Sequence, residues 1–189
     1  MSDLVERLRN VSPSTLGHVR DSGLIGGLTP IRRPIRLAGP AVTVRVSEID
    51  ANGILNAARA AAPGDVLVVS QPRGAGRACF GGVLASHVKA LGLAGVVVDG
   101  QITDHEQLLE LNLPVYHRGI TPRVSHRSDR PATIGVPVDI DGVVITPGDV
   151  IFGDSDGLGV LSPFEVAEVL AELERREADE ALLRQRILA

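Results

Sequence analysis

A chain of 189 residues is long enough to bury a real core and reads as one domain, 1–189. Apolar residues make up 44% of it but aromatics only 2%, so the core must be built from Val, Leu, Ile and Ala. A net charge of −4 argues against nucleic acid as a partner, and no apolar run approaches the ~20 residues that cross a bilayer, so no membrane is expected.

Met1-Ser2-Asp3 is an acidic start without a signal-peptide core, so a cytoplasmic protein is expected. Leu4 to Arg9 is a short amphipathic helix. Ser12-Pro13 opens a second, Ser as cap and Pro at the first helical position, fading near Ser22-Gly23. Gly26 to Pro40, rich in Gly, Pro and Arg, is a loop, and the alternation from Ala41 to Val46 is a strand. Asn52 to Ala62 is helical, Pro63-Gly64-Asp65 a turn, and Val66 to Val69 a fully buried strand. Gln71 to Arg77 is a polar loop, and Cys79 a small buried filler. Gly82 to Leu91 is a helix and Ala94 to Val98 a second buried strand. Thr103 and Glu106 have the spacing of a capping box for a helix that ends near Asn112. After the strand Val115 to His117 the chain turns to β structure. Val136 to Ile140 and Val143 to Ile145 flank the hairpin turn Asp141-Gly142. Val150 to Phe152 and Leu158 to Leu161 are strands, and Ser162-Pro163-Phe164-Glu165 is a capping box opening a helix to about Ile187. Helices alternate with strands early and hairpins dominate later, so the fold class is mixed α/β with more than one sheet layer.

Several positions carry two readings. A helix opened by Gly81-Gly82 offers the amides of Gly82, Val83 and Leu84 to a carboxylate, or it packs closely against a strand. Asp104 is a first-turn acid for its helix, or a single-carboxylate anchor for a hydrated Mg²⁺. Asp99 orients water around Asp104, or bonds the Gly100–Gln101 amides as a turn. Arg118 meets a substrate or a neighbouring subunit. The basic residues Arg118, Arg123, His126, Arg127 and Arg130 form a solvated loop or a subunit contact. Asp154-Ser155-Asp156-Gly157 is a tight turn, lacking the further ligands of a calcium loop. His105, His117 and His126 lack metal-ligand spacing, with His105 exposed and His117 toward the cleft. No nucleophile elbow, Walker loop or dinucleotide fingerprint occurs.

Gly81-Gly82-Val83-Leu84-Ala85, Gly95-Val96-Val97-Val98-Asp99-Gly100, Pro114-Val115-Tyr116-His117-Arg118-Gly119 and Gly153-Asp154-Ser155-Asp156-Gly157 together resemble the RraA-like family. It includes regulators of ribonuclease E activity and metal-dependent 4-hydroxy-4-methyl-2-oxoglutarate aldolases that also decarboxylate oxaloacetate; members were formerly mislabelled as menaquinone methyltransferases. The likeness runs from Ser12 into the C-terminal helix. It implies a single-domain swivelling β/β/α fold, homotrimers or homohexamers, and sites between subunits. It also implies a divalent metal at Asp104, Mg²⁺ first and Mn²⁺ second, with the Gly82 to Leu84 amides holding the carboxylate of a small 2-oxo or hydroxy acid. Retro-aldol cleavage or decarboxylation would then pass through a metal-stabilised enolate. Asp104, Arg118 and Asp99 are the expected catalytic positions; Gly82, Val83, Leu84, Thr103 and Arg77, with Arg73 as a second arginine, are the expected substrate contacts. The family's aldolases carry Arg before that Asp; this chain carries Thr103. Glu177 and Glu180 are possible counterparts of a C-terminal-helix glutamate that some aldolases lend to an adjacent subunit. The alternative function is a non-catalytic regulator of ribonuclease activity that works by protein interaction.

Overall fold

One long strand, Leu37–Arg45, joins two kinds of sheet. Its first half pairs antiparallel with Val150–Gly153, and its second half pairs parallel with Val66–Ser70. The parallel run continues through Gly95–Asp99 to Val115–His117. Leu158–Leu161 and Leu24–Ile25 extend the antiparallel side, and Thr29–Pro30 closes the other edge against Val115–His117. A separate parallel sheet holds Ala78–Phe80, Gln101–Ile102 and Gly119–Ile120. Val138–Ile140 and Val143–Ile145 form a ribbon of their own. This computed structural model describes residues 2–46, 51–124 and 132–189. His126, Arg127 and Arg130 lie outside the described residues.

The strands Val66–Ser70 and Gly95–Asp99 read as unbroken apolar runs because both their faces are covered. Val66 to Val69 and Val96 to Val98 are wholly buried. The helices Ala51–Ala60 (α3), Gly82–Ala90 (α4) and His105–Glu110 (α5) each follow one strand and precede the next. Ser2–Leu8 (α1), Pro13–Gly17 (α2) and the long Pro163–Leu188 (α6) build a second cluster on Ala38, Val150, Phe152 and Leu161. Cys79 is buried, and burial pushes its thiol up to about 12, so it is an inert filler as expected.

The structure corrects four expectations. The helix after Ser12 ends at Gly17 rather than near Gly23; Val19 and Arg20 close turns on Leu16, and the chain leaves for its pairing with Leu158–Leu161. Residues 26–40 are not all loop. Pro30 is tolerated because its strand is an edge, and Pro40 sits where the long strand changes neighbours. Gly39 lies against a backbone carbonyl: a Cβ there would come within 2.3 Å of the Gly64 oxygen. The hairpin starts at Val138 rather than Val136, with Asp141 at φ 54 and Gly142 at φ 82 as a tight primed turn requires. The capping box at Thr103 does not form, whereas the one at Ser162 does.

Candidate functional site

Two places gather the polar residues that the sequence singles out. The first is the corner where α4 and α5 begin. Asp104, rather than Thr103, is the residue before α5, and its backbone is left-handed, φ 57 and ψ 44. That conformation costs a non-glycine residue roughly 1 kcal/mol, least for Asp and Asn. It turns the carboxylate away from its own helix and toward α4. Asp104 Oδ2 accepts from the Gly82 amide at 2.9 Å, and Asp104 Oδ1 accepts from the Thr103 hydroxyl at 3.3 Å. The glycines make room for this. A Cβ on Gly81 would lie 2.7 Å from Asp104 Oδ2 and from Thr103 Cγ2, and one on Gly82 would lie 2.0 Å from Gln107 Oε1. Close packing and an anion at the helix end are therefore the same feature here, the anion being the chain's own. Val83 and Leu84 follow as the second and third residues of α4, where helix geometry supplies no intrahelical acceptor for the amide. Val83 is well exposed and Leu84 half-buried.

The second place is a cleft of about 330 Å³ at the carboxyl ends of Val66–Ser70 and Gly95–Asp99. Its lining includes Gln71, Arg73, Asp99, Gly100, Gln101 and Arg118. Asp99 does not cap the Gln101 amide as a turn residue would. It is buried and accepts from Arg118 Nε at 2.6 Å, while the Gln101 amide goes to Gln71 Oε1 at 3.2 Å. Arg118 also has further intrachain partners: Nη1 donates to the Gly27 carbonyl at 2.8 Å and Nη2 lies 2.8 Å from Asp141 Oδ1. Burial opposes the Arg118 charge, but the bonds to Asp141 and Asp99 outweigh it and raise its pKa. The same contact with Arg118 holds the Asp141 carboxyl below its ordinary range, with Arg73 adding to it.

The remaining expected residues fall as follows. Arg77 donates to the Val124 carbonyl at 2.9 Å, a bond that fastens its loop. Arg73 meets Asp141 Oδ1 at 2.7 Å. Glu177 accepts from the Ser12 amide at 2.8 Å and the Thr15 hydroxyl at 2.6 Å, capping α2 from across the fold. Glu180 pairs with Arg184 on its own helix at 2.7 Å. His105 is half-buried rather than exposed. His117 is buried in its strand, and its Nδ1 has no partner. The segment after Gly153 is a tight turn, with the Asp156 amide on Asp154 Oδ1 at 2.9 Å. Among the described residues no three His, Cys, Asp or Glu side chains converge as a metal cluster. Asp141 and Gln71 escaped the sequence reading as site residues; Asp141 is visible there only as half of a turn.

The RraA-like family model, described as Aldolase/RraA, matches residues 3–160. The chain belongs to the RraA-like family. A Halalkalibacterium halodurans protein named "Putative 4-hydroxy-4-methyl-2-oxoglutarate aldolase" is 33% identical over 94% of this chain and 85% of its own length. The crystal structure of Streptomyces coelicolor RraAS2, titled an unusual member of the RNase ES inhibitor RraA family, superposes with a TM-score of 0.84. It is 30% identical and covers 97% of this chain and 96% of that one. A Thermus RNA-processing inhibitor RraA gives a TM-score of 0.71 at 28% identity, over 80% of this chain and 93% of its own. The expected RraA fold is therefore the observed one. Among the described residues no helix is long and apolar enough to cross a membrane.

Proposed function

We propose that this RraA-like protein is a divalent-metal-dependent lyase acting on a small 2-oxo or hydroxy acid, with the corner between Asp104 and α4 as its site. The observation that carries the reading is the 2.9 Å contact between Asp104 Oδ2 and the Gly82 amide. It brings an acidic side chain and a glycine-opened helix end, separate in sequence, to a single point. The donor set suits a hard, hydrated cation: an exposed carboxylate, with no group of three or more His, Cys, Asp or Glu side chains converging among the described residues. Asp104 would hold such an ion, and a resident Mg²⁺ or Mn²⁺ would supply positive charge to the keto oxygen. Both retro-aldol cleavage and decarboxylation leave an electron pair on the carbon next to the 2-keto group, so both need that charge. The chain's own part is orientation. The Val83 and Leu84 amides, at the positive end of α4, face an incoming carboxylate, and the Thr103 hydroxyl adds one donor. A hydroxyl replaces the guanidinium fork that the family's aldolases carry there, so the carboxylate is gripped less firmly. Assembly into a homotrimer or homohexamer belongs to the same reading.

The test is oxaloacetate decarboxylation with Mg²⁺ or Mn²⁺. Asp104→Ala should abolish the metal-dependent rate and cost ~0.5–2 kcal/mol of stability through the lost Gly82 contact. Thr103→Arg should raise the rate about tenfold to a hundredfold, the worth of a bidentate carboxylate contact. Metal-dependent turnover that survives Asp104→Ala would move the site elsewhere. A second reading, a non-catalytic regulator of ribonuclease activity, is favoured by Thr103 itself and by the likeness to the ribonuclease-inhibitor structures. A folded Thr103→Arg protein that gains nothing on oxaloacetate or a 4-hydroxy-2-oxo acid, with wild type still inhibiting an RNase E-type enzyme, would put that reading first.

A further inference from the structure

The cleft beside Asp99 is not part of the Asp104 corner. The strand Gln101–Ile102 separates them, Gln101 lining the cleft and Thr103-Asp104 following at the strand's other end. We infer that this cleft binds a small carboxylate, and that Asp141 occupies its arginine pair as an internal competitor. Two guanidiniums converge on one oxygen, Asp141 Oδ1, at 2.7 Å from Arg73 and 2.8 Å from Arg118. Arg118 does not need Asp141 for neutrality, because buried Asp99 already holds its Nε at 2.6 Å. Asp99 also fixes the direction in which Arg118 presents its remaining nitrogens. Arg73 is a surface side chain, 72% exposed, so its pair with Asp141 is a weak one. Asp141 reaches both arginines from the exposed tip of the ribbon, while Val138, Ile140 and Ile145 anchor the ribbon beneath. A rotation of one side chain therefore frees Nη2 of Arg118 and Nη2 of Arg73 without moving the backbone, while Nε and Nη1 of Arg118 stay on Asp99 and the Gly27 carbonyl.

What would enter is set by size and charge. About 330 Å³ is near the lower limit of small-molecule pockets and suits a ligand of a few carbons. The position is the one where parallel sheets commonly receive ligands, outside the carboxyl ends of the strands. Two planar guanidiniums match a carboxylate better than a spherical anion. An occupant that must displace Asp141 has its apparent affinity reduced by the fraction of time the arginine pair is free.

Asp141→Asn removes the competing charge and keeps the fold, since Asn-Gly favours the same tight turn. Calorimetry with succinate in a low-chloride buffer containing EDTA should show about tenfold or greater tightening in Asp141→Asn over wild type. Adding Arg73→Met to that variant should reverse the gain. Unchanged or weaker succinate binding in folded Asp141→Asn would overturn the inference. Equal competition by chloride would also overturn it, leaving a general anion patch. The tightening should persist in an Asp104→Ala background; its loss there would place succinate at the other corner and refute a site in this cleft. Because EDTA is present throughout, neither result depends on the metal-dependent reaction proposed above.

Discussion

Among single residues, His117 carries the sharpest pH signature. Burial pushes its imidazole down to about 4, the charge of His105 adds to the effect, and a backbone contact at Gly119 opposes it. The unfolded chain binds this proton below about pH 6.5, while the native chain refuses it until about pH 4. The unfolded state therefore holds more protons across that window, so stability is full above it and is lost as pH falls through it. The loss attributable to His117 is at most about 3 kcal/mol. Melting temperatures from pH 7 to pH 4 should drop less steeply in His117→Gln; an unchanged slope would place the proton uptake on another group. Candidate site residues were legible in the sequence where they mark the end of an element. Gly82 opens a helix and Asp104 precedes one, so both could be found from local pattern. Asp141 could not, because its arginines lie far along the chain and only the fold brings them together. The intrachain role of Glu177 was hidden for the same reason: a helix glutamate looks free in sequence, yet it caps α2 across the fold.

At the scale of elements, the two candidate capping boxes separate what local pattern decides from what tertiary contact overrides. At Ser162 the reciprocal bonds form: Ser162 Oγ accepts from the Glu165 amide at 3.2 Å, and Glu165 Oε2 accepts from the Ser162 amide at 2.8 Å. Arg20 adds a 2.7 Å ion pair to the same glutamate. The Ser162 backbone bond, with help from Arg20 and against burial, keeps the Glu165 carboxyl below its ordinary range. At Thr103 the same spacing fails because the next residue, Asp104, takes the left-handed backbone and gives its carboxylate to α4. Ser162→Ala should cost about 1 kcal/mol by urea unfolding. A midpoint equal to that of wild type would mean that Pro163 and the packing of Val166 and Leu170 fix this helix start without the cap. The long buried strands were readable for the converse reason, that continuous Val and Leu runs have few other homes. Gln101–Ile102 and Gly119–Ile120 were not, since two residues carry no period and their pairing is wholly non-local. Pro40 hid the start of the long strand because a proline argues against a central strand unless the neighbours change there.

At the scale of the whole molecule, α6 bears on assembly. Its first half packs through Val166, Leu170 and Leu173, but from Ala178 onward every residue is exposed. That outer half presents Leu182, Leu183, Ile187 and Leu188 to solvent, at 52%, 55%, 71% and 87% exposure. Apolar surface gains roughly 25 cal/mol per Å² on burial, and among the described residues nothing covers these side chains. Association of copies offers the cover, in line with the trimer or hexamer that belongs to the proposed function. Light scattering at micromolar concentration should then give a mass three or six times the 19.8 kDa chain. Leu183→Lys combined with Ile187→Lys should shift the protein to smaller species while its far-ultraviolet helix signal is kept, because both positions lie outside the core. A wild-type monomer at that concentration would remove the assembly and any site built between subunits. A variant that stays fully assembled would show that α6 points away from the contact, and exposed Val83, Ile120 and Val124 would become the next surface to charge.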